Sequence, residues 1–231
     1  MDGETAVITG ASRGIGRAVA ESFADAGAHV VVCARSRDEL ESVTEDIRAD
    51  GGAATAVRAD VRDEFDVERL MERAAERGGG EIEYVLANAG VYHGESGETP
   101  LPEESYSVFD DTIRTNVRGV FATLKEALPH LAEDGRMLVS SGAVARTAYP
   151  GYGAYAASKA GAEAVARGVA ADIDQPVGII DPGQVSTELT GADAYDPDDV
   201  APQFVWAATE APAETVDGEV VDRGDWRKAT A

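Results

Sequence analysis

A single cysteine, Cys33, rules out any disulfide within the chain. It sits in the apolar run HVVVCA, where a thiol serves as a small buried filler. Lysine is nearly as scarce: Lys125, Lys159 and Lys228 are the only three, and the other basic side chains are arginines. Against 20 Lys and Arg stand 43 Asp and Glu, a net charge of −23, which excludes the basic face that nucleic-acid phosphates require. No apolar run approaches the ~20 residues of a membrane span, and no signal-like segment precedes the first apolar run. The histidines (His29, His93 and His130) are scattered and have no partner in sequence. These absences predict a soluble, cytoplasmic protein with no membrane, nucleic-acid or metal partner.

What remains is a chain of 231 residues, 44% hydrophobic, long enough for one α/β domain over residues 1–231 and needing no second. Acidic charge of this density repels itself in dilute buffer and is screened in strong salt. The composition resembles that of cytoplasmic proteins from salt-accumulating halophiles and predicts a salt requirement; an ordinary acidic protein is the competing reading.

Thr5 to Thr9 is a short apolar strand running into GASRGIGRAVAESFADAG. Gly10, Gly14 and Gly16 fall in the turn and first helical turn, with Ser12, Arg13 and Ile15 between them. Glycines there let backbone N–H groups approach a pyrophosphate at the helix N-terminus. A second strand, His29 to Ala34, ends without the acid that binds the ribose hydroxyls in NAD-selective sites. Arg13 and Arg35 can instead converge on a 2′-phosphate, predicting NADP over NAD; the alternative is two solvated surface charges.

A third strand, Ala53 to Ala59, ends in Asp60-Val61, where Asp60 either caps the next helix or meets the adenine. The helix Asp63 to Arg77 stops at Gly78-Gly79-Gly80, and a fourth strand, Ile82 to Ala87, leads into Asn88-Ala89-Gly90. Ser105 to Leu131 reads as one long helical stretch with Asn116 in its middle. Asparagine competes with helical backbone bonding, so Asn116 predicts a kink or a purposeful polar contact. Gly135 to Val139 is a fifth strand followed by Ser140-Ser141. Val177 to Ile180 is a sixth, followed by Asp181-Pro182-Gly183-Gln184-Val185-Ser186-Thr187. Asp196 to Thr209 is a helix capped by Asp196 or Asp199, Gly218 to Asp222 a last strand, and residues 224–231 a tail. Strands alternating with helices predict a Rossmann-type, doubly wound parallel sheet of about seven strands with helices on both faces.

The segment GYGAYAASKAG places Tyr155 and Lys159 four positions apart, on one helical face. Alone, the pair reads equally well as packing plus a solvated charge. In context, the whole chain resembles the short-chain dehydrogenase/reductase family. TGASRGIG matches that family's cofactor loop, ANAG its NNAG turn with Ala87 in place of the first Asn, and DPGQVST its nicotinamide-side loop. Asn116, Ser141, Tyr155 and Lys159 match its catalytic tetrad.

The resemblance implies an NAD(P)-dependent oxidoreductase interconverting a carbonyl and a secondary alcohol, such as a 3-oxoacyl, sugar or ketone reductase. In it Tyr155 is general acid/base, Lys159 and the positive nicotinamide ring of the oxidised cofactor lower the phenol pKa, Lys159 holds ribose, Ser141 polarises the substrate oxygen, and Asn116 relays water to Lys159. The implied cofactor contacts are Gly10, Ser12, Arg13, Gly14, Ile15, Gly16, Arg35, Asp60, Val61, Asn88, Ala89, Gly90, Tyr155, Lys159, Pro182, Gly183, Val185 and Thr187. NADP(H) is the preferred cofactor and NAD(H) the other. Partners are a small carbonyl or alcohol substrate and copies of the same chain in a homodimer or homotetramer, joined through the Ala- and Gly-rich helix. The alternative function is a non-catalytic NADP-binding regulator on the same fold.

Ser141 lies fourteen positions before Tyr155, one more than the family spacing, which leaves Ser140 as a substitute. Loops 91–101, 142–152 and 184–196 are expected to line the pocket, with Tyr149 and Tyr152 as walls. His93 reads as a surface loop histidine, Arg146 as a surface group or a grip for an anionic substrate, and the short segment after Thr187 as leaving the cleft either open or covered by a partner's Trp226 tail.

Overall fold

The computed structural model describes residues 1–187, 189 and 194–231. Seven strands, all parallel, form one sheet: β1 (Thr5–Thr9), β2 (His29–Ala34), β3 (Ala53–Arg58), β4 (Ile82–Ala87), β5 (Leu131–Ser140), β6 (Val177–Asp181) and β7 (Val220–Asp222). Their order across the sheet is β3-β2-β1-β4-β5-β6-β7, the doubly wound arrangement the alternating sequence predicts. The direction of winding reverses between β1 and β4, and a cleft opens there beyond the strand carboxyl ends.

Every residue of β1 is buried, because a parallel strand is covered on both faces. Alternation then sorts the side chains. Ala6, Ile8, Val30, Val32 and Leu86 face α1 (Gly14–Asp25), α2 (Arg37–Ala49) and α7 (Pro197–Thr209). Val7, Val31, Val57, Val85 and Val139 face α3 (Glu64–Arg77), α5 (Gly119–Ala127) and α6 (Gly153–Asp172). Cys33 belongs to the second layer as buried filler, its thiol pushed up to about 12 by that burial.

Three expectations are corrected. The stretch 105–131 is not one helix. It divides into α4 (Tyr106–Ile113), a π-helical turn (Arg114–Arg118), α5, and a 3-10 turn (Leu128–His130) containing Pro129, whose missing N–H ends the helix. β5 begins four residues earlier than the pattern suggests. Leu131 pairs with Ile82, the register shifts, and pairing resumes at Tyr84–Arg136, which hides residues 132–135 from a simple periodicity. The tail is also ordered. After α8 (Ala213–Val216), helix α9 (Arg223–Ala229) starts from a capping box between Asp222 and Asp225. Trp226 packs against the first core layer of its own chain.

At the start of α7, Asp196 is the cap, accepting from Asp198 N at 3.0 Å. Part of the 184–196 loop, residues 188 and 190–193, lies outside the described residues.

Candidate active site

The cleft at the reversal point encloses a cavity of about 790 Å³. Its floor is the glycine turn between β1 and α1. Gly10 and Gly14 have positive φ (68° and 55°), which favours glycine. Gly16 is fixed by packing: a Cβ there would lie 2.3 Å from the Gly10 carbonyl and 2.5 Å from Asn88 Nδ2. Asn88 closes the turn by donating Nδ2 to the carbonyls of Thr9 (3.2 Å) and Gly10 (3.3 Å). Thr9 Oγ1 accepts from the backbone of Asn88 and Ala89, both at 3.1 Å, so β1 and β4 are locked at their ends. Gly10, Ser12, Arg13, Gly14, Ile15, Asn88, Ala89 and Gly90 line the cavity; Gly16 lies beneath it.

Does this floor fit a dinucleotide pyrophosphate? In a chain this acidic, α2, α3 and α7 all carry carboxylates in their first turns, and α1 carries none. With no acid of its own in the first turn, α1 turns the positive end of its dipole to the cavity, and with the glycine backbone the residues present fit the group.

One end of the cavity is walled by Arg35, Ser36, Glu39, Asp60, Val61 and Arg62. Asp60 does not cap α3. That cap is Asp63, which accepts from Phe65 N and Asp66 N. Asp60 instead grips the Arg62 guanidinium at 2.7–3.1 Å, and Arg62 holds the Asp60 carboxyl below its usual range. Arg62 also reaches Asp111 (2.9 Å), which meets His93 Nε2 at 3.0 Å, so the histidine without a partner in sequence has one in space.

The other end gathers Ser140, Ser141, Tyr155, Lys159, Pro182, Gly183, Val185 and Thr187. Lys159 Nζ donates to the Ser140 carbonyl at 3.0 Å and lies 5.6 Å from the Tyr155 ring centroid. Burial lowers Lys159 to about 8, with Glu163 acting in the opposite sense. Lys159 alone does not depress the Tyr155 phenol. Burial pushes it up, with Tyr92, Tyr152 and Asp181 adding to the effect. The ammonium is directed at Ser140, and its field does not outweigh the desolvation of the phenol. Ser140 offers its carbonyl to Lys159, and Ser141 donates its hydroxyl to Glu163 at 2.8 Å.

Asn116 stands behind this wall, buried, and outside the cavity lining. Its Oδ1 accepts from Val91 N (2.8 Å), and its Nδ2 donates to Val91 O and Ser158 Oγ (both 2.9 Å). Both amide protons are committed, so the side chain acts as a strut between the loop after β4 and α6. The π-helical turn is where the strut enters the helix.

Several residues of the site were not legible in sequence. Tyr92 packs against Tyr155 with centroids 4.8 Å apart and rings tilted by 32°, and its hydroxyl donates to Gly151 O at 3.0 Å. Glu104 supplies the missing cap of α6 by accepting from Ala154 N at 2.7 Å. Gly151 (φ 77°) passes so close to Gly97 that a Cβ would meet its carbonyl at 1.9 Å. Arg146, read as a surface group, pairs instead with Glu163 and Asp181. Arg223 of α9 lies 3.9 Å over the Tyr195 ring, beside Gly183. Glu163 alone carried a usable signal, standing one helical turn beyond Lys159.

Among the described residues no cluster of His, Cys, Asp or Glu is arranged to hold a metal, and no helix is long and apolar enough to cross a membrane.

Comparison with known proteins extends this picture. A profile described as short chain dehydrogenase matches residues 4–197. A versicolorin reductase of Emericella nidulans is 35% identical over 194 residues, covering 82% of this chain and 72% of that protein. A short chain dehydrogenase from Burkholderia cenocepacia J2315, solved in complex with NADP, superposes with a TM-score of 0.85 at 30% identity, covering 96% of each chain. A 3-ketoacyl-(acyl-carrier-protein) reductase from Brucella melitensis, complexed with NADH, gives 0.86 at 27% identity, covering 96% of this chain and 97% of that one.

Proposed function

The chain belongs to the short-chain dehydrogenase family of NAD(P)-dependent oxidoreductases, and from that premise we propose that it interconverts a carbonyl compound and a secondary alcohol. The nicotinamide would supply or take up the hydride. Tyr155 does the proton work. Its phenol, raised by burial, keeps its proton near neutrality and is set to protonate a carbonyl oxygen in the reductive direction or, as phenolate, to take the proton of an alcohol in reverse. Lys159, one turn along the same helix, places a cation beside the phenolate that remains. Ser141 orients the reacting oxygen. The observation that carries this reading is the convergence of Tyr155, Lys159 and Ser141 on one end of a cavity whose floor is the glycine turn.

NADP is the preferred cofactor in this proposal. Its support is Arg35 on the wall beside β2, where NAD-selective sites carry a carboxylate. The NADP and NADH complexes among the similar structures support a nicotinamide cofactor without choosing between the two. The substrate class is a ketone, sugar or 3-oxoacyl thioester, entering past Tyr149 and Tyr152, whose rings give this end an apolar wall. The same proposal takes the protein as a single-domain cytoplasmic enzyme acting as a homodimer or homotetramer. The exposed Phe121 on α5, next to the small residues of α6, suits such pairing.

A panel of those carbonyl compounds, assayed in high salt for NADPH oxidation by the wild type and Tyr155→Phe, tests the reading. The variant should bind NADPH normally and transfer no hydride. Wild-type turnover by the variant would overturn the assignment.

A further inference from the structure

The described residues bury only three ordinarily charged side chains: Lys159, Glu163 and Asp181. The chain has 43 Asp and Glu, yet the two buried among the described residues meet the same guanidinium, that of Arg146. Arg146 sends Nη1 to Glu163 Oε1 and Nη2 to Asp181 Oδ2. The second oxygen of each acid is also used, Glu163 Oε2 by Arg167 at 3.3 Å and Asp181 Oδ1 by the backbone N–H of Gly183 at 2.9 Å.

Such a cluster is expensive to desolvate, and apolar side chains of the same volume would serve stability as well or better. Its placement gives it another use. Arg146 follows Ser141 by five residues, and a 3-10 turn (Ala143–Ala145) folds it back over the catalytic helix. Glu163 stands on that helix one turn beyond Lys159. Asp181 ends β6, immediately before Pro182 and Gly183 of the cavity wall. One guanidinium thus ties together three pieces of the site. Ser141 Oγ lies 2.8 Å from Glu163 Oε1, and a carboxylate can only accept, so the hydroxyl proton points to Glu163. Because Arg146 and Arg167 also draw on Glu163, its hold on that proton is moderated, and an arriving carbonyl oxygen can compete for it.

We propose that Arg146 and Glu163 are positioning residues of this active site: together they set the direction of the Ser141 hydroxyl and hold its loop against the helix of Tyr155 and Lys159. This rests on the oxidoreductase reading above. The couple also reaches Lys159, because Glu163 opposes the lowering of the ammonium. The other charged or titratable groups around this point are Tyr155 and Arg167 on α6, Tyr92 after β4, Tyr152 before α6, and Asp181 on β6.

The test uses the full chain in high salt, as wild type, Glu163→Gln, Arg146→Met and Arg146→Lys. Steady-state kinetics with the best substrate of the panel are combined with NADPH titration and thermal melting. Glu163→Gln and Arg146→Met should lose at least tenfold in kcat, with NADPH Kd within about threefold of wild type. Arg146→Lys should recover melting temperature without recovering kcat, because one ammonium cannot span two carboxylates. A readout independent of turnover comes from ¹³C-lysine labelling: with three lysines, the Lys159 Cε signal is separable and its titration can be followed. In Glu163→Gln its midpoint should fall below the wild-type value. Wild-type kcat in Glu163→Gln and Arg146→Lys, or an unmoved Lys159 midpoint, would overturn the inference. A shifted midpoint in a protein whose wild type transfers no hydride would remove the oxidoreductase reading and leave the coupling of Glu163 to Lys159 standing.

Discussion

Lys159 reaches across from α6 to the last residue of β5, its ammonium 3.0 Å from the Ser140 carbonyl. Holding that charge in a buried place lowers its pKa to about 8, against about 10.4 in an unfolded chain. Between those values the unfolded chain binds more protons, so native stability rises with pH across that window, and the full penalty applies below about pH 8. The penalty is about 3 kcal/mol, and losing the bond to Ser140 would return about 1–2 kcal/mol of it. Lys159→Met should therefore be more stable than wild type at neutral pH by about 1–2 kcal/mol, while losing activity. That margin should shrink towards pH 10. Denaturant unfolding at both pH values measures it, and a Met variant less stable at pH 7 would refute the account.

Asn116→Ala removes three bonds and strands the part-buried Val91 backbone and the buried Ser158. The expected loss is about 2–3 kcal/mol in denaturant unfolding. A loss under about 0.5 kcal/mol would mean that the strut contributes no rigidity.

Arg35→Asp examines cofactor choice. Removing a hydrogen bond to a charged group and adding a like charge should raise the NADPH Kd by about 10–100-fold and spare NADH. Equal weakening of both cofactors would locate Arg35 away from the 2′-phosphate.

Net charge −23 predicts that melting temperature climbs with salt, since the screening length drops from ~10 Å at 0.1 M to ~3 Å at 1 M. A rise of several degrees in calorimetry is expected, and a flat profile would assign the acidity no role in stability.

The order of the sheet was legible because apolar runs such as HVVVCA announce strands covered on both faces, and the glycine turn announced where the cleft opens. The broken helix at Asn116 was half legible. A polar residue in an apolar stretch signalled a special contact, but its partners lie 25 and 42 residues away, beyond any local pattern. Arg146 was misread for the same reason. An arginine in a loop looks solvated until folding brings Glu163 and Asp181 beside it. Tyr92 and Glu104 carry no local signal, since they act on segments 59 and 50 residues further along the chain.

The strut at Asn116 has a consequence for inheritance. Two of its three bonds end on the main chain of residue 91, which every amino acid except proline provides, and the third needs a hydroxyl at 158. Descendants of this gene are thus at liberty to change Val91, whereas positions 116 and 158 must be passed on as a pair.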